Sequence, residues 1–422
     1  MRILYVTEKL PWPLDSGGNV RSFHVLRGLA AAHDVVVASG IERAADVDGA
    51  SALRAQCRDL RTVMLEPGSP LRDAAVLASV ALSRTPFLVA RRHSAALRSL
   101  VRQVLREQGP FDAVHFNHLD ACLYAGEVPR GVRKVLDAHN VVTNQVGSTL
   151  RSERRLARRL VLARDLPRLA AWERDAAGAM DACLVCSEVD RDALRALGVA
   201  RDGWVVPNGV DTAYFHRGAA PADTAPDASP QLVFVGTLDY DPCEQGVWHF
   251  CREILPRVRR EVPGCTFAVV GRNPSARLRR LADAEPAVRL LGRVDDVRPT
   301  LHASAVAVVP LLAGSGTRLK ILEAMAAGVP VVSTSIGAEG IALAPGLDAL
   351  VADEPAAFAA AVLSLLRDPA GRALLAERGR RLVEGSYSWS AVHARLGAAY
   401  ASLGAGDGAG DGDGARRAPG TG

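Results

Sequence analysis

Residues 314–334 read Gly-Ser-Gly-Thr-Arg-Leu-Lys-Ile-Leu-Glu-Ala-Met-Ala-Ala-Gly-Val-Pro-Val-Val-Ser-Thr. This stretch predicts a Gly-rich loop, then a helix with charged residues on its first turns, and then the buried strand Val329–Ser333. The preceding run, Ala305–Pro310, is apolar almost throughout and predicts a second buried strand. Buried strands on either side of a helix are typical of parallel α/β layers.

The loop and the helix that follows it carry groups that suit a phosphorylated ligand. Gly314 and Gly316 leave backbone N–H groups accessible to an anion, and Arg318 and Lys320 add two cations. Glu323 is a carboxylate in an otherwise apolar helix, where it needs a polar partner such as two ribose hydroxyls. The stretch therefore predicts a site for a nucleotide diphosphate linked to a sugar. A solvated surface glutamate is the alternative for Glu323.

Length and composition place the chain among soluble globular proteins. Its 422 residues suffice for two domains, and with 49% hydrophobic and 23% charged residues the balance is ordinary. No run approaches the ~18 apolar residues that a bilayer-spanning helix needs. The run Ile3–Val6 is too short for a signal peptide, and Glu8 and Lys9 follow it. We therefore expect a cytoplasmic protein, in peripheral contact with the inner face of a membrane at most.

Seven cysteines are too few for a disulfide framework in a chain of this length. Cys183 and Cys186 have the spacing of a redox or metal pair, but they lie in a predicted strand, where positions i and i+3 face opposite sides. No second cysteine or histidine pair accompanies them. We therefore interpret both as core residues and expect neither a metal nor a bound cofactor.

Apolar strand-like runs alternate with helical patterns along most of the chain, which is typical of doubly wound α/β domains. The strands predicted in the first half are Ile3–Thr7, Val35–Ser39, Thr62–Leu65, Ala113–Phe116, Lys134–Asp137, Ala182–Cys186 and Trp204–Val206. Those predicted in the second half are Leu232–Gly236, Thr266–Gly271, Val288–Gly292, Ala305–Pro310, Val329–Ser333 and Ala349–Val351. Two such sets predict two Rossmann-like domains facing a central cleft, with ligands bound at the carboxyl ends of the strands.

The composition suggests where these domains begin and end. We expect an N-terminal domain over residues 1–212, a Pro/Ala/Asp-rich linker over 213–230 and a C-terminal domain over 231–386. A last helix over 387–403 is expected to pack back on the N-terminal domain. The tail 404–422 consists mainly of Gly, Ala, Asp and Arg, which cannot bury a core, so we expect it to be disordered.

The first loop carries two adjacent glycines, Gly17 and Gly18, before a helix predicted to begin at about Val20. Adjacent glycines let the backbone approach a ligand closely, and a helix N-terminus favours negative charge. A plain strand-to-helix turn is the alternative. The loop lacks the spacing G-x-G-x-x-G, which argues against a nicotinamide cofactor.

Three histidines lie at the ends of predicted strands in the first half. His139 directly follows the strand Lys134–Asp137 on the side of the cleft, and a functional and a structural role are equally good interpretations of it. His115 and His118 bracket the end of an earlier strand and are weaker candidates.

A run of arginines follows His139 along the chain, and its members fall at helical spacings i, i+3, i+4, i+7 and i+8. Its members are Arg151, Arg154, Arg155, Arg158 and Arg159. Such a basic helix face can contact anionic lipid or an acidic acceptor, and a solvated helix is the alternative. No aromatic residues interleave with the arginines, so we expect no nucleic-acid binding.

Residues 1 to about 400 resemble the family 4 (group 1) glycosyltransferases, which have the GT-B fold. Besides residues 314–334, the matching pieces are Gly17-Gly18, Asp137-Ala-His-Asn-Val141, Val206-Pro-Asn-Gly-Val-Asp211, Phe234-Val-Gly236 and Leu291-Gly-Arg-Val294. The opening Thr7–Pro13 and the segment Arg21–His24 look closest to bacterial sugar transferases of exopolysaccharide clusters.

The resemblance implies a retaining transfer of a sugar from a nucleotide-sugar to an acceptor hydroxyl, without a metal. The acceptor would be a polysaccharide, a glycolipid or a natural product. The residues that it implies for donor binding are Gly17, Gly18, Gly236, Thr237, Arg293, Val294, Gly314, Ser315, Gly316, Thr317, Leu319 and Glu323. Those that it implies for catalysis are His139, Arg318 and Lys320.

Two positions depart from the pattern of the family. Ser315 stands where the family has the first of two glutamates eight positions apart, and Gly236–Gly246 carries no cation where the family often has an Arg and a Lys. Both departures support the alternative of a partner protein that binds a nucleotide-sugar without transferring the sugar. A nucleotide-sugar epimerase of the same fold is a third hypothesis, for which the sequence offers no identifiable acid and base.

Overall fold

Two all-parallel sheets flanked by helices make up the protein. The structure is a computed structural model, and it describes residues 1–42, 51, 53–80, 83, 85–153, 155–200, 203–216, 229–314 and 316–405. Most of the predicted linker, the tail beyond Ala405, Arg154 and Ser315 lie outside these residues. Among the helices of the described ranges, none is long and apolar enough to cross a membrane.

The first sheet has seven strands within the described residues. They are β1 (Arg2–Thr7), β2 (Asp34–Ile41), β3 (Asp59–Met64), β4 (Ala113–Asn117), β5 (Arg133–Ala138), β6 (Ala182–Val185) and β7 (Trp204–Val205). The order across the sheet is β3-β2-β1-β4-β5-β6-β7, and neighbouring strands are parallel. Strands such as β4 are buried on both faces, which is why they read as continuous apolar runs. Cys183 and Cys186 are fully buried at β6, as a core interpretation requires.

The second sheet has six strands within the described residues. They are β8 (Gln231–Val235), β9 (Thr266–Val270), β10 (Val288–Gly292), β11 (Val306–Val309), β12 (Val331–Ser333) and β13 (Leu350–Val351). The order is β10-β9-β8-β11-β12-β13, again parallel throughout. In each sheet the strand order reverses beside the first strand, so a crevice opens there at the carboxyl ends. The predicted α/β class and the predicted strands are confirmed.

Helices cover both sheets. In the first half they are α1 (Gly17–Ala32), α2 (Pro70–Ser79), α3 (Phe87–Ala90), α4 (Ala95–Gln108), a 3₁₀-helix (Leu119–Glu127), α5 (Val142–Ser152), α6 (Leu156–Gly178) and α7 (Glu188–Ala196). In the second half they are α8 (Asp241–His249), a π-helical turn (Phe250–Ile254), α9 (Leu255–Glu261), α10 (Ala276–Ala284), α11 (Arg298–His302), α12 (Leu319–Ala326), α13 (Ser335–Ala338), α14 (Pro355–Arg367), α15 (Pro369–Ser386) and α16 (Trp389–Ala405).

Helix α1 begins at Gly17, three residues before the predicted start at Val20, so that prediction was wrong. The side chain of Ser16 accepts a hydrogen bond from the Asn19 backbone N–H at 3.3 Å and caps the helix. Gly17 and Gly18 therefore form the first helical turn, where backbone N–H groups have no partner within the helix.

The predicted continuous basic helix is also wrong. Helix α5 ends at Ser152 and α6 begins at Leu156, and the backbone is extended at Glu153 and Arg155. The Glu153 carboxylate accepts a hydrogen bond from the Arg155 backbone N–H at 2.9 Å and pairs with Arg158 Nε at 3.1 Å. These contacts favour a break, because they satisfy polar groups where one helix ends and the next begins. The described arginines of the run therefore lie at the tip of a helical hairpin.

Helix α16 packs on the first half of the chain, against α1. The Tyr400 hydroxyl hydrogen-bonds His115 Nδ1 at 2.8 Å, and His393 Nε2 donates to the carbonyl of His24 at 2.9 Å. Gly28 permits this approach, since a β-carbon there would lie 2.6 Å from the His393 ring. His115 is fully buried in this contact, so the structure gives it a packing role.

A buried ion pair joins α1 to the end of β5. Arg21 Nη2 lies 2.5 Å from Asp137 Oδ1, and Arg21 Nη1 donates to the Val206 carbonyl at 2.9 Å. Burial acts to raise the pKa of Asp137, but the Arg21 guanidinium and His139 hold it well below its usual range. The carboxylate is therefore charged at neutral pH, and its stability depends on Arg21.

We expect Arg21→Met to lower the free energy of unfolding by ~3–5 kcal/mol, because it leaves the Asp137 charge buried without its partner. The double variant Arg21→Met/Asp137→Asn should recover much of that loss, since no charge stays buried. Urea unfolding of the wild type and both variants measures the difference. A loss below ~1 kcal/mol in the single variant would mean that water reaches Asp137 in place of Arg21.

Candidate functional site

The carboxyl ends of the two sheets meet across a cleft. Gly17, at the start of α1, faces Leu319 at the start of α12: a β-carbon on Gly17 would lie 3.2 Å from the Leu319 side chain. A β-carbon on Gly316 would lie 3.9 Å from Cβ of Asn140. The structure therefore brings the predicted glycines of the first half against the predicted Gly-rich loop of the second half.

Gly314 and Gly316 of the Gly-rich loop both lie against the Arg318 side chain. Gly314 and Gly316 have φ values of 119° and 82°, which favour glycine. Arg318 is buried, it precedes α12 as its N-cap, and its Nη1 donates to the Gly316 carbonyl at 2.5 Å. Burial lowers the pKa of Arg318, which nevertheless remains a cation at neutral pH. Ser315 lies outside the described residues, so its role stays a prediction.

Lys320 places a second cation beside this loop. Its Nζ donates to the Cys243 sulfur at 3.2 Å and lies 4.3 Å from the centre of the Phe234 ring. Gly236 makes room for it, since a β-carbon there would lie 2.5 Å from Nζ. Burial lowers the pKa of Lys320. Within the described residues, no carboxylate lies within 4.0 Å of this ammonium group, although Glu323 is near enough to act on its pKa.

Glu323 lies on the second turn of α12, close to this cation. Burial raises the pKa of its carboxyl group, and the nearby Lys320 acts in the opposite direction. The Thr317 hydroxyl, in the loop before α12, is buried and has no hydrogen-bond partner among the residues that the structure describes. A carboxylate and a hydroxyl are thus available to a polar ligand on the same side of the second sheet.

The remaining predicted donor residues spread from this centre towards one edge of the sheet. Thr237 is the second residue after β8, whereas Arg293 and Val294 follow β10, two strands and about 10 Å away. Arg293 is exposed, and Val294 is half-buried. A groove of about 520 Å³ adjoins the end of β10, and among its lining residues are Asn273, Arg279, Asp283 and Gly292.

His139 faces the cleft from the end of β5. Asn117 donates through Nδ2 to the Thr7 hydroxyl at 2.9 Å, so its Oδ1 is free to accept from His139 Nε2, also at 2.9 Å. This contact assigns the proton of the neutral ring to Nε2 and leaves a lone pair on Nδ1. Burial lowers the pKa of His139, which favours the neutral ring. A β-carbon on Gly18 would lie 3.9 Å from Nδ1, so the lone pair points towards the start of α1.

A cluster of charged side chains lies next to His139. The rings of His118 and His139 meet edge to face at 5.3 Å, and His118 Nδ1 lies 3.3 Å from Asp120 Oδ2. Arg92 Nη1 lies 3.2 Å from Glu8 Oε1, and its Nε lies 3.9 Å from Asp120 Oδ2. Burial acts to lower the pKa of His118, but Asp120 raises it. We call these four residues, Glu8, Arg92, His118 and Asp120, the acceptor-side cluster.

Sequence reasoning missed most of this cluster and two residues of the second half. Glu8 and Asp120 follow strands at their carboxyl ends, which is the signal that could have identified them. Arg272 follows β9 in the same way, and its Nη1 lies 3.2 Å from Asp15 in the first loop. Arg92 and Cys243 offer no comparable signal, because only tertiary packing brings them to the site.

Two family models match the chain. Residues 16–214 match the model described as "Glycosyltransferase Family 4", and residues 229–368 match the one described as "Glycosyl transferases group 1". The first segment contains the strands of the first sheet except β1, the second contains the whole second sheet, and together they cover most of the chain.

Two curated relatives are about one-third identical to this chain over roughly half of its length. Glycogen synthase of Mycobacterium tuberculosis is 32% identical over 226 residues, which are 50% of this chain and 52% of that protein. Phosphatidyl-myo-inositol mannosyltransferase of Mycolicibacterium smegmatis is 33% identical over 216 residues, or 50% of this chain and 54% of the relative. The chain thus spans about half the length of the curated relatives it matches.

The fold has relatives among solved structures. HepE of Anabaena, in complex with UDP-glucose, superposes with a TM-score of 0.64 at 15% identity, over 95% of this chain and 100% of that one. At this level of identity the likeness shows the fold alone. The family matches, together with two doubly wound sheets facing a cleft, show that the chain belongs to the family 4 (group 1) glycosyltransferases and has their GT-B fold.

Proposed function

We propose that the protein transfers a sugar from a nucleotide-sugar to an acceptor hydroxyl, with retention of configuration at the anomeric carbon. The observation that carries the proposal is the Lys320 ammonium group, which lies half-buried beside the Gly-rich loop and is desolvated, with a thiol as its hydrogen-bond partner. Desolvation disfavours a cation unless an anion lies beside it, and a diphosphate supplies one. Retention rests on the family resemblance.

The donor would lie along the carboxyl ends of the second sheet. Lys320, Arg318 and the backbone N–H groups of Gly314–Thr317 would hold the diphosphate and stabilise the negative charge that develops as it leaves. Glu323 would accept hydrogen bonds from the ribose hydroxyls, and Arg293 and Val294 would lie near the base. Residues that line the donor between these points are Gly17, Gly18, Gly236, Thr237 and Leu319. The arrangement needs no bound metal, because the two side chains provide the positive charge.

The departures from the family pattern do not remove the cations from the site. The segment Gly236–Gly246 lacks a cation, but Lys320 reaches Gly236 from α12 and lies where a cation from that segment would act. Arg272 adds positive charge from the end of β9. These positions favour an active enzyme over the partner protein that only binds a nucleotide-sugar.

The acceptor would approach from the first half of the chain. His139 Nδ1 would accept a hydrogen bond from a sugar or acceptor hydroxyl, and the acceptor-side cluster offers carboxylates and donors to further hydroxyls. HepE was solved in complex with UDP-glucose, while the names of the curated relatives involve glycogen and mannose. Together they support a nucleotide-sugar donor as a class. Contact with a membrane that carries the acceptor is a further part of the proposal.

Nucleotide binding should stabilise the protein through Lys320. We expect one nucleotide among UDP, GDP, TDP and ADP, tested with their common sugars, to raise the free energy of unfolding by ~2.7 kcal/mol at a hundred times its Kd. Lys320→Ala should lose most of this gain, because the diphosphate loses its buried counter-charge. Thermal unfolding measures the shift, with Arg381→Ala on α15 as the matched control. An undiminished shift in Lys320→Ala would contradict the assigned diphosphate site.

Nucleotide affinity should also fall at alkaline pH. Burial lowers the pKa of Lys320 in the free protein, whereas a bound diphosphate favours the charged form and raises that pKa. Binding therefore takes up a proton between the two pKa values, and affinity falls as the pH rises through that interval. Calorimetry in buffers of different ionisation enthalpy measures the proton uptake. Lys320→Arg, which does not titrate there, should show no uptake; uptake that persists in this variant would belong to another group.

Donor turnover without an acceptor should separate the three hypotheses. We expect slow hydrolysis of the stabilising nucleotide-sugar, because water reaches the reacting carbon when the acceptor is absent. Proton NMR of the freshly released sugar should show the same anomer as the donor. Binding without hydrolysis would favour the partner protein, conversion of the donor to an isomer would favour an epimerase, and the opposite anomer would rule out retention.

A further inference from the structure

Helices α5 and α6 form a hairpin that rises beside the cleft. Helix α5 starts just after His139, at the carboxyl end of β5, and α6 leads back to the amino end of β6. The Glu173 carboxylate on α6 accepts hydrogen bonds from the backbone N–H groups of Val142 and Thr143 at 2.7 and 2.8 Å. Glu173 is therefore the residue of α6 that lies level with the carboxyl edge of the sheet.

The start of α6 lies well beyond that edge. Leu156 precedes Glu173 by 17 residues, and at a rise of 1.5 Å per residue this stretch of helix is about 25 Å long. Asp165 fixes the middle of this stretch, since its carboxylate accepts from the backbone N–H groups of Phe87 and Leu88. Leu162 is the first buried residue of α6, whereas every residue from Arg155 to Leu160 is exposed. We call residues 151–160 the hairpin tip.

The hairpin tip combines two bare leucines with an excess of positive charge. Leu156 and Leu160 are 72% and 62% exposed, and at a spacing of four residues they share one helix face. Arg151, Arg155, Arg158 and Arg159 are exposed around them. Of these described arginines only Arg158 forms an ion pair, with Glu153.

We propose that the hairpin tip docks on a membrane surface rich in anionic lipid. Leu156 and Leu160 enter the boundary between headgroups and acyl chains, and the arginines contact the lipid phosphates. An exposed leucine pair without charge would fit many partners, but the ring of arginines selects a negatively charged one. The docking rests on the proposed function in one respect: a docked membrane would offer a lipid-linked acceptor to the cleft.

Vesicle co-sedimentation tests the proposal. The probes are vesicles of phosphatidylcholine alone and of phosphatidylcholine with 30% phosphatidylglycerol, both in 0.1 M salt. We expect the protein to sediment with the anionic vesicles and at least tenfold more weakly with the neutral ones. Leu156→Ser/Leu160→Ser and Arg155→Glu/Arg159→Glu should each weaken anionic binding at least tenfold, and higher salt should weaken that of the wild type.

The matched control is Leu374→Ser/Arg378→Glu, which changes an exposed leucine and an exposed arginine on α15 and should bind like the wild type. Equal binding to both vesicles, no binding, or full binding by the leucine variant would overturn the proposal. Self-association through the tip would also overturn it. In that case the mass of the wild type would rise with concentration, the leucine variant would stay monomeric, and neither protein would bind vesicles.

Measuring the stabilisation by nucleotide on the same variants distinguishes a failure of the docking from a failure of the proposed function. The tip lies outside the donor site, so its variants should retain the wild-type shift with nucleotide. Vesicle binding without any nucleotide shift would leave the docking intact and contradict the donor site. A stabilisation by nucleotide without vesicle binding would support the donor site and contradict the docking.

Discussion

The buried pair of Arg21 and Asp137 fixes the first half of the cleft. The Arg21 guanidinium on helix α1 bonds both the end of β5 and the Val206 carbonyl, so the first turn of α1 and His139 are held in a fixed relative position. Burying two charges is costly, and the pair is stable only because its geometry is close and further hydrogen bonds satisfy the remaining donors. The positions of Gly18 and of the His139 lone pair both follow from this contact.

The second half of the cleft is arranged differently, with a half-buried cation that has no carboxylate within 4.0 Å among the described residues. Lys320 is desolvated between the Phe234 ring, Gly236 and the Cys243 thiol, so its charged form is disfavoured until an anion arrives. A site of this kind binds through charge that already faces the ligand, with little reorganisation of the protein. The same desolvation makes binding sensitive to pH.

Contacts across the cleft among the described residues include Gly17 with Leu319, Gly316 with Asn140, Gly340 with Ser187, and Arg272 with the partly exposed Asp15. Relative motion is the usual behaviour of two domains of one chain unless their interface is large and hydrophobic. A ligand that contacts both halves would therefore favour closure and exclude water, which otherwise competes as the acceptor. The hairpin tip stands outside this interface, so docking on a surface need not hinder closure.

The sequence alone determined the fold, because a strand that is buried on both faces requires apolar residues at nearly every position. Each strand predicted from such a run is present in the sheets. It also predicted Lys320 and Glu323 as site residues, since ligands bind at the loops that follow parallel strands, and that role stays a prediction. Local patterns misplaced the start of α1 and joined α5 to α6, because the deciding contacts are the helix cap made by Ser16 and the bonds of Glu153 to Arg155 and Arg158. Only the tertiary structure brought Cys243 to Lys320, 77 positions away, and Arg92 to Glu8, 84 positions away. Such contacts depend on how the chain crosses between strands, and no local periodicity records that path.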